Sequence, residues 1–142
     1  MPIRLGRPLF LLDDARVTVR VPTRLAFTVA VVVANRHVIA VEAAEGTDQM
    51  LERVAELRRS HRVRSPAGTG VLVKAPKPGQ DRRFDLPSIG PRTIDGVIAA
   101  GLAGLAVVAG GTIIAEPQDL VEKADRAKVF VTGLSEAASL TP

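Results

Sequence analysis

Short β-rich apolar runs alternate along this chain with longer stretches of helical spacing. Val29–Ala34 and Val38–Val41 are two such runs joined by Asn35-Arg36-His37, which predicts a hairpin. The second run leads into Glu42-Ala43-Ala44-Glu45-Gly46-Thr47-Asp48. Thr47 suits a helix N-cap, and the helix is expected to reach about Arg59. Met50, Val54 and Leu57 then share one face with Leu51 beside them, while Glu52, Arg53, Glu56 and Arg58 lie largely outside. Ser60–Gly70 reads as a basic loop and Val71–Val73 as a short buried strand. Pro91 suits the first residue of a helix over about Arg92–Ala100, ended by Gly101. Leu105–Val108 and Thr112–Ile114 flank Gly110-Gly111, a two-residue hairpin signal. Pro117 opens a helix over about Gln118–Ala127, with Leu120, Val121 and Ala124 on its apolar face. Val129–Val131 is the last predicted strand.

Strands alternating with helices predict an α/β fold: a mixed sheet with flanking helices in a single compact domain. Residues 29–133 form that domain. Residues 1–28 read as an atypical lead-in, in which Val17, Val19 and Val21 alternate with Thr18 and Arg20. Residues 134–142 read as a frayed tail.

Composition narrows the functional classes. Only 3% of residues are aromatic, four Phe with no Trp or Tyr, so the core is aliphatic and no stacking platform for single-stranded nucleic acid is available. The net charge of +4 suits an anionic ligand or an acidic membrane surface. With no cysteine, a disulfide framework, a thiolate nucleophile and a zinc–thiolate site are excluded. The longest apolar run, Val29–Ala34, falls far below the roughly 18 residues of a spanning helix. Pro8–Leu12, preceded by Arg4 and Arg7 and followed by Asp13 and Asp14, is too short for a signal-peptide core.

Candidate chemistry concentrates in Val71–Ile89, VLVKAPKPGQDRRFDLPSI. An apolar strand breaks into a loop holding Lys74, Lys77, Arg82 and Arg83 beside Asp81 and Asp85, with Gln80 among them and Pro76, Pro78, Gly79 and Pro87 stiffening the backbone. Cations of this kind neutralise phosphate oxygens, and carboxylates bind a divalent ion or take a proton. The position, after a strand of an α/β sheet, is where ligands gather. A solvated turn with local ion pairs accounts for the same composition about equally well. A second cluster, Glu42, Glu45, Thr47 and Asp48, also follows a strand and opens a helix. Its amides could hold an anion and its carboxylates a metal, but acidic residues in a first turn more often serve the helix dipole. Gly110-Gly111 lacks the spacing of a phosphate loop. His37 and His61 have no second histidine nearby. The Ser60–Arg64 run is a solvated loop or a contact for anionic headgroups.

VEAAEGTD, then GVLVKAPKPGQDRRFDLPSIGPRTI, then AGLAGLAVVAGGTI closely resemble the carboxyl-terminal domain of the LpxI-type UDP-2,3-diacylglucosamine pyrophosphatases, over about Val29–Gly133. The resemblance implies a step of lipid A biosynthesis in Gram-negative bacteria. Water attacks the diphosphate of UDP-2,3-diacylglucosamine, at the β-phosphorus, to give UMP and lipid X, with magnesium as the metal. It also implies a cytoplasmic enzyme in peripheral contact with the inner face of the inner membrane. Within it, Asp85 is expected to be the essential carboxylate, binding metal or activating water. Asp81 would share the metal or orient the water, with Glu45 and Asp48 as an outer acidic shell for that metal. Lys74, Lys77 and Arg83 would neutralise phosphate oxygens, and Gln80 and Thr47 would hydrogen-bond the ligand.

The family's amino-terminal domain is not matched. A homodimer is one way to supply the wall that such a domain would provide. A non-catalytic lipid-phosphate or nucleotide-binding remnant is therefore the alternative to a working hydrolase. A nucleic-acid binder ranks third, for want of aromatics and of a basic helix.

Overall fold

The computed structural model describes residues 29–76 and 86–134. Those residues form seven strands and three helices, in the α/β class expected. β1 (Val29–Ala34) and β2 (His37–Val41) make the predicted antiparallel hairpin. Its turn is two residues long, with Asn35 and Arg36 both at positive φ, 50° and 64°. That left-handed pair matches the twist of the flanking strands.

α1 (Thr47–Arg59) follows, then β3 (Val71–Ala75), β4 (Ser88–Ile89), α2 (Pro91–Ala99), β5 (Gly104–Val108), β6 (Ile113–Ile114), α3 (Pro117–Ala127) and β7 (Phe130–Leu134). The main sheet runs in the order β2-β1-β3-β5-β7. β3, β5 and β7 are mutually parallel, while β1 is antiparallel to both its neighbours. β2 therefore points the same way as β3. The segments β2-α1-β3, β3-α2-β5 and β5-α3-β7 are all crossovers between like-directed strands. All three helices consequently start from one edge of the sheet, the carboxyl edge of its parallel strands.

Several expectations are corrected. Thr112–Ile114 does not fold back on β5. β5 is already flanked by β3 and β7, so neither of its edges is free. The chain still turns at Gly110, with φ 74°, but β6 leaves to pair with β4 as a separate parallel two-stranded ribbon. Thr47 is not the N-cap of α1: Gly46 holds that position at φ 85°, and Thr47 is the first helical residue. β7 also begins and ends later than the Val129–Val131 expected.

The core lies between the sheet and the helices. Ala30, Val32, Leu72, Leu105 and Val107 of the sheet meet Met50, Leu51 and Val54 of α1, Ile94 and Val97 of α2, and Leu120 and Ala124 of α3. Register explains the set. Val32 faces Leu72, and Leu72 faces Leu105, so one row of side chains crosses three strands on one face. Val31, Val33, Val71 and Ala106, on the alternate face, are buried too. Strands apolar on both faces are the mark of a parallel sheet. Leu57, expected on the buried face of α1, is half-buried, and Ala55 takes a buried place instead.

One contact depends on the lack of a side chain. Gly104 pairs with Phe130, and the phenyl ring lies over the bare Cα. A Cβ at Gly104 would collide with that ring. Gly104→Ala is expected to cost about 1–3 kcal/mol, the range for overpacking, read as a lower urea midpoint. In a Phe130→Ala background the same substitution should cost little. An equal cost in both backgrounds would place the strain elsewhere.

Candidate functional site

The carboxyl edge carries a cleft of about 610 Å³, lined by residues of the first turns of α1 and α2, by Lys74 and by the β4–β6 ribbon. Lys74 is its most constrained member. It sits in β3 between Ala30 and Val107, both core residues, so its side chain projects on the helix-covered face. It is only 7% exposed. Nζ donates to the Ser88 carbonyl at 2.9 Å, the one partner it has among the described residues. An ammonium has three donors, and among the described residues only one of them is taken. Burial pushes the Lys74 pKa down, partly offset by the negative charges of Glu42 and Asp48.

Both helices that open on the cleft begin at glycine. Gly46 and Gly90 are the N-caps of α1 and α2, and neither helix end has a side-chain cap. In α2, Pro91 stands first and has no N–H to satisfy. The Gly90 N–H donates to Thr93 Oγ1 at 3.1 Å, which ties the entry to the helix. In α1 the amides of Thr47, Asp48 and Gln49 have no acceptor within the helix, as for any first turn. Two positive dipole ends and a buried ammonium thus face the same space.

The acidic members are already engaged. Glu42 is half-buried and accepts the Thr47 hydroxyl at 3.2 Å. Desolvation raises its pKa above 4.5, against the lowering effects of Thr47 and Lys74. Glu45 accepts the Ala43 N–H at 3.1 Å and Arg53 at 2.6 Å. Backbone hydrogen bonds and Arg53 hold its carboxyl below the usual value. Asp48 pairs with Arg92 of α2 at 3.1 Å. Among the described residues no three acidic or histidine groups gather to hold a metal. Glu45 and Asp48, each held by an arginine, do not make such a set on their own.

Of the residues named from the sequence, Lys74, Thr47, Glu45 and Asp48 do meet in this cleft. Lys77, Gln80, Asp81, Arg83 and Asp85 lie outside the described residues. The two flanks of their segment are fixed, because the Lys74–Ser88 hydrogen bond joins the strand before it to the strand after it. Sequence reasoning did not place the Ser88 carbonyl, Arg92 or the paired glycine caps at a site. The Gly90-Pro91 step was the available signal, since it puts an uncapped helix start just beyond the charged loop.

The basic loop sits at the other end of α1, about 20 Å away by helix rise. Arg58 there donates to the carbonyls of Ser65, Pro66 and Thr69, so it fastens the loop. Among the described residues no helix is long and apolar enough to cross a membrane.

Glu42 gives the site a pH signature. A carboxyl whose folded pKa is raised costs stability when ionised, and the cost vanishes once both states are protonated. Glu42→Gln keeps an acceptor for Thr47 and removes the charge. It should raise the thermal midpoint at pH 7 and lose that advantage as pH falls below about 4.5, the ordinary carboxyl value. A lower midpoint at pH 7 would show that the carboxylate is stabilising.

With this geometry in view, the likeness to known proteins is specific. The model of the LpxI C-terminal domain matches residues 13–132. The UDP-2,3-diacylglucosamine pyrophosphatase LpxI of Caulobacter vibrioides (strain ATCC 19089 / CIP 103742 / CB 15) is 43% identical over 123 residues, which cover 87% of this chain and 44% of that protein. The chain thus spans less than half the length of this relative.

Proposed function

Because the chain belongs to the family defined by the LpxI C-terminal domain, we propose that it hydrolyses the diphosphate of UDP-2,3-diacylglucosamine to UMP and lipid X. One observation supports this reading above the others. Buried Lys74 and two glycine-started helix ends point into one cleft, an arrangement that favours a multiply charged anion. The relative's printed name supplies the identity of that anion.

In this reading Lys74 donates to phosphate oxygens, and the first-turn amides of α1 take others. Charge that builds up on the departing UMP phosphate is met by groups already fixed in position, so no reorganisation is needed at the moment of reaction. Thr47, held by Glu42, orients the ligand. Asp85 activates or positions the attacking water, with Asp81 beside it. Lys77, Gln80 and Arg83 complete the contacts to the substrate. Magnesium, when bound by Asp81 and Asp85 with Glu45 near them, would neutralise the diphosphate and polarise the scissile phosphorus. Water adds to the β-phosphorus as its bond to the bridging oxygen breaks. The new oxygen therefore stays on lipid X, and the bridging oxygen leaves with UMP.

A lipid-linked substrate sets this work in the cytoplasm, at the inner face of the inner membrane. Since the chain spans under half of its relative, binding without turnover is the second reading. A homodimer, if formed, belongs to the first.

The test is UMP release by the purified chain with magnesium, with EDTA, and with Asp85→Asn. Metal-dependent release lowered at least a hundredfold by the substitution is the expected result, on the scale of losing a positioned acid–base group. In ¹⁸O-water the label should appear in lipid X and not in UMP. Tight nucleotide binding with no release would favour the binding module, and absence of both would remove the whole reading.

A further inference from the structure

Among the described residues one exposed ion pair spans the cleft with both partners lining it. Asp48 is the second residue of α1 and Arg92 the second residue of α2, with Nη2 and Oδ2 3.1 Å apart. Their side chains are 52% and 88% exposed. Among the described residues the other ion pairs lie elsewhere. Arg53 holds Glu45 but does not line the cleft, and Lys123–Asp95 joins α3 to α2 outside it.

Such a pair is weakly held. Two exposed side chains lose rotamer freedom to stay together and are screened by salt. A guanidinium fork, by contrast, fits phosphate oxygens two at a time. A di- or tri-anion in the cleft would also meet the dipole of α2 and Lys74, whereas Asp48, in the first turn of α1, faces only its own helix's dipole at contact range and pairs with Arg92. The negative charge of Asp48 is nonetheless felt at Lys74. Asp48 therefore stands where it offsets the cations of an unfilled anion site.

We propose that Asp48 is a built-in stand-in for the substrate's diphosphate, and that Arg92 exchanges Asp48 for phosphate oxygens when the ligand enters. This rests on the reading of the cleft as a diphosphate site. Arg92 is then a substrate-binding residue. Asp48 is a positioning residue that holds the fork over the cleft and competes for it. The pair makes entry selective for ligands with enough charge to displace a carboxylate.

Opposite signs distinguish this exchange from a structural brace. Inorganic pyrophosphate is titrated calorimetrically into the full chain, without metal, for wild type, Arg92→Ala, Arg92→Lys, Asp48→Asn and the Asp48→Asn/Arg92→Ala pair, with melting curves to show that each folds. Arg92→Ala should weaken binding about tenfold, the scale of a charge-assisted hydrogen bond, and Arg92→Lys should recover part of it. Asp48→Asn should tighten binding roughly threefold, the scale of an exposed ion pair. Most of that gain should vanish in the Arg92→Ala background. With the lipid substrate, the same two changes should move KM in opposite directions.

Weakening by both single substitutions would overturn the exchange and make the pair a brace. A loss in Asp48→Asn seen only when magnesium is added would overturn it too, making Asp48 a metal carboxylate. Binding lost in Lys74→Ala but untouched in Arg92→Ala would sink the exchange and leave the cleft reading standing. No binding by wild type would remove both.

Discussion

The arrangement of this domain turns on one buried ammonium. Lys74 lies in the middle of the sheet, at the carboxyl end of a strand whose other side chains are apolar. Taking its charge out of water is unfavourable, and one carbonyl acceptor at 2.9 Å compensates only in part. The surroundings add to the difficulty, because two helix N-termini present further positive potential to the same space. Among the described residues Glu42 and Asp48 counter it, and Glu42 is itself raised in pKa by desolvation. A site of this kind is poorly satisfied when empty. Under the proposed function an anion would complete its electrostatics, and binding such an anion would stabilise the fold by linkage.

The topology explains how three such positive groups come together. If β1 ran parallel to its neighbours, the hairpin to β2 would be impossible, and α1 would not have to cross over β1 to reach β3. The reversed strand makes β2-α1-β3 a crossover that skips one position. That brings the start of α1 to the same edge as the start of α2. β1 also places the small Ala30 beside Lys74, which leaves room for a long side chain to rise toward the helices. The β4–β6 ribbon finishes the wall, and its first residue supplies the carbonyl that fixes Nζ.

Much of this was legible in the chain. The apolar runs located the strands of the main sheet, and Pro91, Gly101 and Pro117 marked helix limits to within a residue, because each acts through its own backbone. The failures were of another kind. The Gly110-Gly111 turn is real, but a turn does not choose its partner strand, and the occupied edges of β5 made that choice. Thr47 has the chemistry of a cap, yet Gly46 can adopt φ 85° at no steric cost and releases the threonine hydroxyl to Glu42. Of the ribbon, Thr112–Ile114 was legible as a strand, while β4 and its pairing were not, since a two-residue strand carries no period. Of the site, the types of residue were legible and the distances were not. The contact of Lys74 with Ser88 depends on two elements 14 residues apart, and that of Asp48 with Arg92 on two helices separated in sequence by β3 and β4.

The Lys74–Ser88 bond also bears on the segment that holds Asp81 and Asp85. Nine residues, Lys77–Asp85, separate the described flanks. The described residues on either side, Lys74 and Ser88, are held together by that bond and serve as its anchors. Both anchors stand on the cleft wall or beside it. A closure of this length costs little entropy compared with a longer loop, and the bond that closes it is made by the residue the phosphate would contact. Weakening Lys74 therefore removes a cation and loosens the join between the two described flanks in the same step. The two effects separate in Lys74→Arg, which keeps the charge but changes the reach to the Ser88 carbonyl. If the cation alone matters, that variant retains anion binding and turnover together. If the join matters as well, it retains binding and loses turnover.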